Sequence, residues 1–99
     1  PKATFVCGHS GNCPPMRAHA IEVAQNNANV YLETCSTFRS PGAIEELVNG
    51  AGADRVLYGS DVPLMDHRPQ VGKIVTADIS NEAKRLVLGE NARRLLKLP

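Results

Sequence analysis

The chain has 99 residues, far fewer than the roughly 250 of a complete (β/α)8 barrel, so it holds one domain at most. Its 42% hydrophobic and 21% charged residues are ordinary for a globular protein and exclude a disordered or collagen-like chain. Interleaved charges that sum to +1 argue against a nucleic-acid partner, and the lack of a secretory signal or a membrane-length apolar run predicts a cytoplasmic protein that contacts no membrane.

The first half of the sequence is typical of two strands and two helices. Residues 4–7 are β-formers, and a pair of prolines then opens a predicted helix over 15–27. A second strand is predicted over 29–33. Ser40 is expected to be the N-cap of the next helix, with Pro41 in its first position and Gly50 or Gly52 at its end. The spacing of its apolar residues predicts a stripe on one face of that helix, formed by Ala43, Ile44, Leu47, Val48 and Ala51.

The second half adds one predicted strand, over 55–59, and three helical segments. A short helix is expected over 70–77, and Ser80 is expected to cap a helix over 81–88. Gly89 should break that helix before a last turn over 91–96. Strands separated by crossover helices pair in parallel, with the helices on one side of the sheet. The whole chain, 1–99, is therefore predicted to be a single α/β domain.

Polar clusters follow each predicted strand, at 8–11, 33–36 and 59–61. The carboxyl ends of parallel strands are where functional side chains collect, so His9 and Asp61 are candidate site residues. The alternative is that both residues cap the segments that follow them.

Three cysteines, Cys7, Cys13 and Cys35, have neither disulfide-framework nor zinc-ribbon spacing and are expected to be reduced. Strand alternation predicts that Cys7 points to the same side as His9 and is buried. Cys35 lies just past a strand end, but no histidine stands beside it in the sequence.

Five segments carry the strongest signal in the sequence: FVCGHSG (5–11), NVYLET (29–34), GAIE (42–45), GADRVLYGSDVP (52–63) and LGENARRLL (88–96). Together they resemble the C-terminal end of the amidohydrolase-2 family of metal-dependent TIM-barrel hydrolases and decarboxylases. The resemblance implies a partial TIM (β/α)8 barrel with three parallel strands, corresponding to strands six to eight of the family, and their helices.

The resemblance also implies roles for two residues. Asp61 matches the strand-eight carboxylate, which binds a divalent metal, typically zinc, or takes a proton from the metal-bound water. His9 matches the strand-six histidine, which acts as acid, base or oxyanion stabiliser, or as a ligand. The His-x-His pair of the family's first strand is missing here. With one carboxylate and one imidazole, the chain alone is expected to hold no metal stably.

Two further residues are candidate substrate contacts. Arg39 is predicted in the loop after the second strand, and a guanidinium there is able to bind a substrate carboxylate bidentately. His67 would face the rim of a complete barrel. The alternatives are an exposed loop arginine and a solvated pair of Asp66 and His67.

The function implied by the resemblance is hydrolysis, or a related decarboxylation or hydration, of a small carbonyl or carboxylate substrate. The alternative is a non-catalytic α/β module that binds itself or another chain. Parallel sheets are normally covered on both faces, and alternation predicts that Phe5, Cys7, Leu57 and Gly59 lie on the open interior face. We therefore expect a homo-oligomer, or association with the missing portion of the barrel.

Overall fold

A computed structural model describes residues 3–38 and 40–99, in which three parallel strands alternate with helices. The strands β1 (Phe5–Cys7), β2 (Val30–Glu33) and β3 (Val56–Leu57) form one sheet in the order β1-β2-β3. The helices are α1 (Pro14–Asn26), α2 (Ala43–Ala51) and α3 (His67–Val75), followed by α4 (Asn81–Arg85), a π-helical segment (Leu86–Glu90) and α5 (Asn91–Leu95). The predicted α/β class with parallel strands is confirmed. None of these helices is both long and apolar enough to cross a membrane.

The strand register shows which side chains share a face of the sheet. Leu32 pairs with Cys7 on one side and with Val56 on the other, so all three point to the same face. That face is the one covered by helices, because Leu32 and Val56 are fully buried in a cluster with Leu47 of α2. The prediction that Cys7 is buried in the barrel interior is therefore wrong: Cys7 lies on the helix side of an edge strand and is exposed.

Phe5 shares this helix-side placement, because it pairs with Val30, which packs against the same cluster. The prediction of an interior face was wrong for Phe5 as well. Leu57 pairs with Glu33 on the opposite face, as expected, but it is buried rather than naked. Alternation along one strand fixes which residues share a face, and only the partner strand reveals which face is the packed one.

Apolar side chains from all four helical regions bury the core against the sheet. The buried cluster contains Ala24 of α1, Ile44, Leu47 and Val48 of α2, Ile74 of α3, and Ala83 and Val87 near the C-terminus. These positions include the predicted apolar stripe of the second helix, which is confirmed. The cluster packs the helices against the sheet, and the parallel pairing of the strands places all three carboxyl ends at one edge.

The predicted start of α2 is wrong. Its N-cap is Gly42, which has a φ of 83° and makes no side-chain capping bond, and Ser40 and Pro41 precede the helix as a turn. The Ser40 hydroxyl instead accepts a hydrogen bond at 3.0 Å from Arg17 Nη2. The Ser40 side chain therefore binds Arg17, which is distant in the sequence, and does not cap the helix that follows it.

The C-terminal helix does not break at Gly89. Ser80 caps it as predicted, accepting from the Ala83 amide at 3.1 Å, but the helix then continues to Leu95 through the π segment. The Val87 carbonyl accepts from Tyr58 N at 3.0 Å, and Asn91 Nδ2 donates to the carbonyls of Ala53 and Val56. Tertiary bonds to the region of β3 therefore hold a helix that an internal glycine alone would weaken.

Candidate active site

Three side chains from three different strand ends converge at the carboxyl edge of the sheet. His9 follows β1, Cys35 follows β2 and Asp61 follows β3, and one ligand-type atom from each lies within 4.8 Å of the other two. His9 is exposed, Asp61 is partly buried and Cys35 is buried. The two candidates taken from the sequence, His9 and Asp61, are thus brought together, and Cys35 joins them.

The loop after β1 is fixed to β2 by Ser10, which is 3% exposed. Its hydroxyl donates to the Cys7 carbonyl at 2.5 Å and accepts from the Glu33 amide at 3.2 Å, while its own amide donates to the Glu33 carbonyl at 3.0 Å. These bonds fix Ser10, the residue directly after His9, to both β1 and β2. The imidazole therefore projects from a positioned backbone and not from a free loop.

The Glu33 carboxylate lies beside the cluster and accepts hydrogen bonds from Cys35. The Cys35 thiol donates to Oε1 at 2.8 Å, and the Cys35 amide donates to Oε2. Burial raises the pKa of the Cys35 thiol to about 11, helped by the hydrogen bond to Glu33 and by the negative charges of Glu33 and Asp61. Without a bound metal, the Cys35 thiol is therefore protonated at neutral pH.

Gly59 has no side chain, and the Glu33 carboxylate occupies the space that a side chain at this position would fill. A Cβ added at Gly59 would collide with the Glu33 carboxylate, so any larger residue there would push that carboxylate away. The Gly59 amide also donates to Thr34 Oγ1 at 3.4 Å, which links the ends of β2 and β3. The glycine in the GSD sequence is therefore explained by a close approach between neighbouring strand ends.

Lys73 of α3 binds the backbone of the loop that follows β2. Its ammonium donates to the carbonyls of Thr34 and Ser36 and lies 3.7 Å from the centroid of the Phe38 ring. Desolvation by burial lowers the pKa of Lys73 to about 8, against the opposing effects of Cys35 and Glu33. The backbone on both sides of Cys35 is thereby tied to a helix.

Unfavourable backbone conformations occur at the same strand ends. His9 and Asp61 have φ values of 57° and 60°, and Ser36, next to Cys35, has 85°. Non-glycine residues rarely adopt this left-handed region, and such strain is concentrated at functional sites. The fold holds two of the three converging residues in conformations that the chain does not favour by itself.

The two predicted substrate contacts have different outcomes. His67 is the first residue of α3, exposed and 3.9 Å from Asp66, and it is not part of the converging group. Its place at the rim of a complete barrel stays a prediction. Arg39 lies outside the described residues. Cys35 was noted in the sequence just beyond a strand end but was not included among the site residues, because no histidine stands beside it in the sequence; the structure places His9 and Asp61 there.

The donor set fits a divalent metal. Carboxylate, imidazole and thiolate are all zinc ligands, and tetrahedral zinc ligands lie roughly 3.3 to 3.8 Å apart, so small side-chain shifts from the observed separations would suffice. The sequence offered two candidate ligands, His9 and Asp61, and the structure adds Cys35 as a third. A carboxylate or imidazole that is not itself coordinated is also able to exchange protons with a bound substrate.

Cysteine labelling tests this placement of the thiols. In the presence of a chelator at pH 8, we expect iodoacetamide to alkylate Cys7 first and Cys35 at least about 100-fold more slowly, because Cys35 is 6% exposed and its pKa is about 11. Peptide mass spectrometry over time measures each rate. Equal rates at Cys7 and Cys35 would contradict the burial and hydrogen bonding of Cys35.

The site stands alongside a clear family match. The protein-family model described as Amidohydrolase matches residues 1–98, essentially the whole chain. No curated protein sequence matches the chain significantly.

Proposed function

The chain belongs to the amidohydrolase family, and on that premise we propose that it is the C-terminal part of a metal-dependent hydrolase, or of a related decarboxylase or hydratase. The substrate class is a small molecule with a carbonyl or carboxylate group, and the three strands correspond to strands six to eight of a TIM barrel. The convergence of His9 and Asp61 at the carboxyl edge of a parallel sheet carries this proposal.

Each residue has a role that its surroundings favour. A divalent metal, for which we propose zinc, supplies a Lewis acid and a water molecule with a pKa near 7 when bound. Asp61 binds the metal or accepts a proton. The exposed His9 imidazole either coordinates the metal or, while uncoordinated, donates a proton to the leaving group or accepts one from the nucleophile. Arg39 and His67 stay candidate contacts for a substrate carboxylate.

The edge of the sheet supports the barrel part of the proposal. On the helix side of β1, a groove of about 440 Å³ is lined by Cys7, Pro15, Met16, His19, Ala20, Val23 and Val30. The neighbouring side chains of Phe5 and Val6 are 57% and 48% exposed. Among residues 3–38 and 40–99, β1 pairs with β2 alone. We propose that the groove and the outer edge of β1 receive the preceding strand and helix of the barrel, because both an apolar groove and the outer edge of a strand favour coverage.

Without that cover, the 99-residue chain alone should self-associate at micromolar concentration. Met16→Asp places a charge in the groove at a side chain that is 68% exposed, so we expect it to shift the protein towards monomer without unfolding it. Leu64→Asp is the matched control, because Leu64 is 83% exposed but is not among the groove residues. Sedimentation equilibrium measures the outcome, and a compact wild-type monomer would overturn the expectation.

The function itself is tested by the coding sequence upstream of Pro1 and by turnover. A reading frame that continues upstream into a His-x-His strand, and a purified product that hydrolyses or decarboxylates small substrates only with zinc, are the expected results. A start codon directly before Pro1, together with no turnover of any small amide, ester or carboxylic acid, would favour the non-catalytic module instead.

A further inference from the structure

We propose that Cys35 is a metal ligand, and that His9, Cys35 and Asp61 form a site for one thiophilic divalent cation such as zinc. The inference rests on the proposed function and takes both His9 and Asp61 in their ligand roles. The new element is the thiolate from the second strand, for which the family resemblance supplies no role. It also implies that the chain binds the cation by itself.

The first argument is geometric. Three potential ligands from three separate strand ends lie within 4.8 Å of one another, and the bonds of the Cys35 side chain and backbone to Glu33 hold the thiol in place. Lys73 fixes the carbonyls of Thr34 and Ser36 on either side of Cys35. A thiol that is fixed before binding loses little conformational freedom when it coordinates a metal.

The second argument is electrostatic. Two carboxylates lie beside the Cys35 sulfur: Glu33 Oε1 is 2.8 Å away, and an Asp61 oxygen lies within 4.8 Å. Negative charges at these distances disfavour a bare thiolate. The same charges favour a divalent cation at that place, and the cation in turn stabilises the thiolate. Lys73 adds one positive charge nearby, which leaves the group of two carboxylates and one thiolate with a net negative charge that a divalent ion compensates.

The proton has a defined route. Binding breaks the S–H bond of Cys35 and forms an S–metal bond. The proton passes to the Glu33 carboxylate, whose Oε1 already accepts the thiol hydrogen at 2.8 Å, and from there to water. Glu33 is therefore a positioning residue that also removes the proton. A thiolate ligand selects soft or borderline ions such as zinc, cobalt and cadmium over magnesium.

Titration of the reduced 99-residue chain with Co²⁺ and Cd²⁺ tests the inference directly. We expect one equivalent to bind and to produce the ultraviolet charge-transfer absorption of a cysteine thiolate on the metal. Cys35→Ser and Cys35→Ala should abolish that absorption and weaken binding at least about 100-fold, since loss of even a supporting outer-shell partner costs 10- to 100-fold. Cys7→Ser and Cys13→Ser are the matched controls and should retain both.

A second measurement needs no variant at Cys35. Saturating Cd²⁺ should protect Cys35 of the wild-type chain from alkylation while Cys7 continues to react. Asp61→Ala should weaken binding and keep the thiolate absorption. Charge-transfer absorption that survives in Cys35→Ser, or a wild-type chain that binds no Co²⁺ or Cd²⁺, overturns the inference. If absorption is absent while zinc-dependent turnover still requires Asp61, only this inference fails; if absorption is present in an enzyme that turns nothing over, only the proposed function fails.

Discussion

Asp61→Asn should abolish zinc-dependent turnover in an enzyme that contains this chain. Asparagine keeps the size of the side chain but removes the negative charge that binds a cation and accepts a proton, so both proposed roles are lost together. The residue is partly buried and converges with His9 and Cys35, where no other described carboxylate belongs to the group. The measurement is kcat/KM with zinc supplied in excess.

His9→Asn should lower the same rate by about 10²-fold or more, because it removes either a general acid–base group or an imidazole ligand of the metal. His19→Asn is the matched control: its side chain is 78% exposed on α1 and outside the converging group. It should leave the rate unchanged. Near-normal turnover in Asp61→Asn or in His9→Asn would remove that residue from the proposed mechanism.

Arg17→Ala should cause the largest loss of stability, of about 3 kcal/mol or more. Arg17 is 2% exposed, and its guanidinium donates to Glu46 Oε2 at 2.7 Å, to the Gly11 carbonyl at 2.9 Å and to Ser40 Oγ at 3.0 Å. The substitution leaves a cavity and two acceptors inside the protein without their donor. Urea unfolding, with the slope compared between variants, measures the change.

Two companion variants separate charge from geometry. Arg17→Lys keeps the charge but not the planar fork that reaches three acceptors, so we expect an intermediate loss. Glu46→Gln should cost less than about 1 kcal/mol, because the Glu46 side chain is 54% exposed and an amide oxygen still accepts the bond. Equal losses in Arg17→Ala and Glu46→Gln would mean that the ion pair, and not the buried network, supplies the stability.

The sequence predicted the order of strands and helices because their signals are local. Short runs of β-forming residues marked the strands, and the three- and four-residue spacing of Ile44, Leu47 and Val48 marked the buried face of α2. Ser80 was identifiable as a cap because its partner, the Ala83 amide, is three residues away. Ser40 was misassigned because its partner, Arg17, is 23 residues away.

The site was predictable in part for the same reason. Position at a strand end is local and identified His9 and Asp61, and parallel pairing then brings strand ends together. Cys35 was not recognisable as a site residue from its position in the sequence alone. Its significance depends on His9 and Asp61, which are distant in sequence and approach it only through the register of the sheet. The face of β1 was misjudged because its covering layer is defined by residues on β2.

The two bonds from Asn91 have a consequence for how the protein forms during synthesis. This fully buried amide secures the carbonyls of Ala53 and Val56, at the start of the strand that leads to Asp61. Asn91 follows Asp61 in the sequence and is therefore translated later. A nascent chain that has already exposed its third strand still lacks this clamp until Asn91 emerges, so a product terminated between Asp61 and Asn91 would carry all three converging residues without the bonds that hold the start of the third strand.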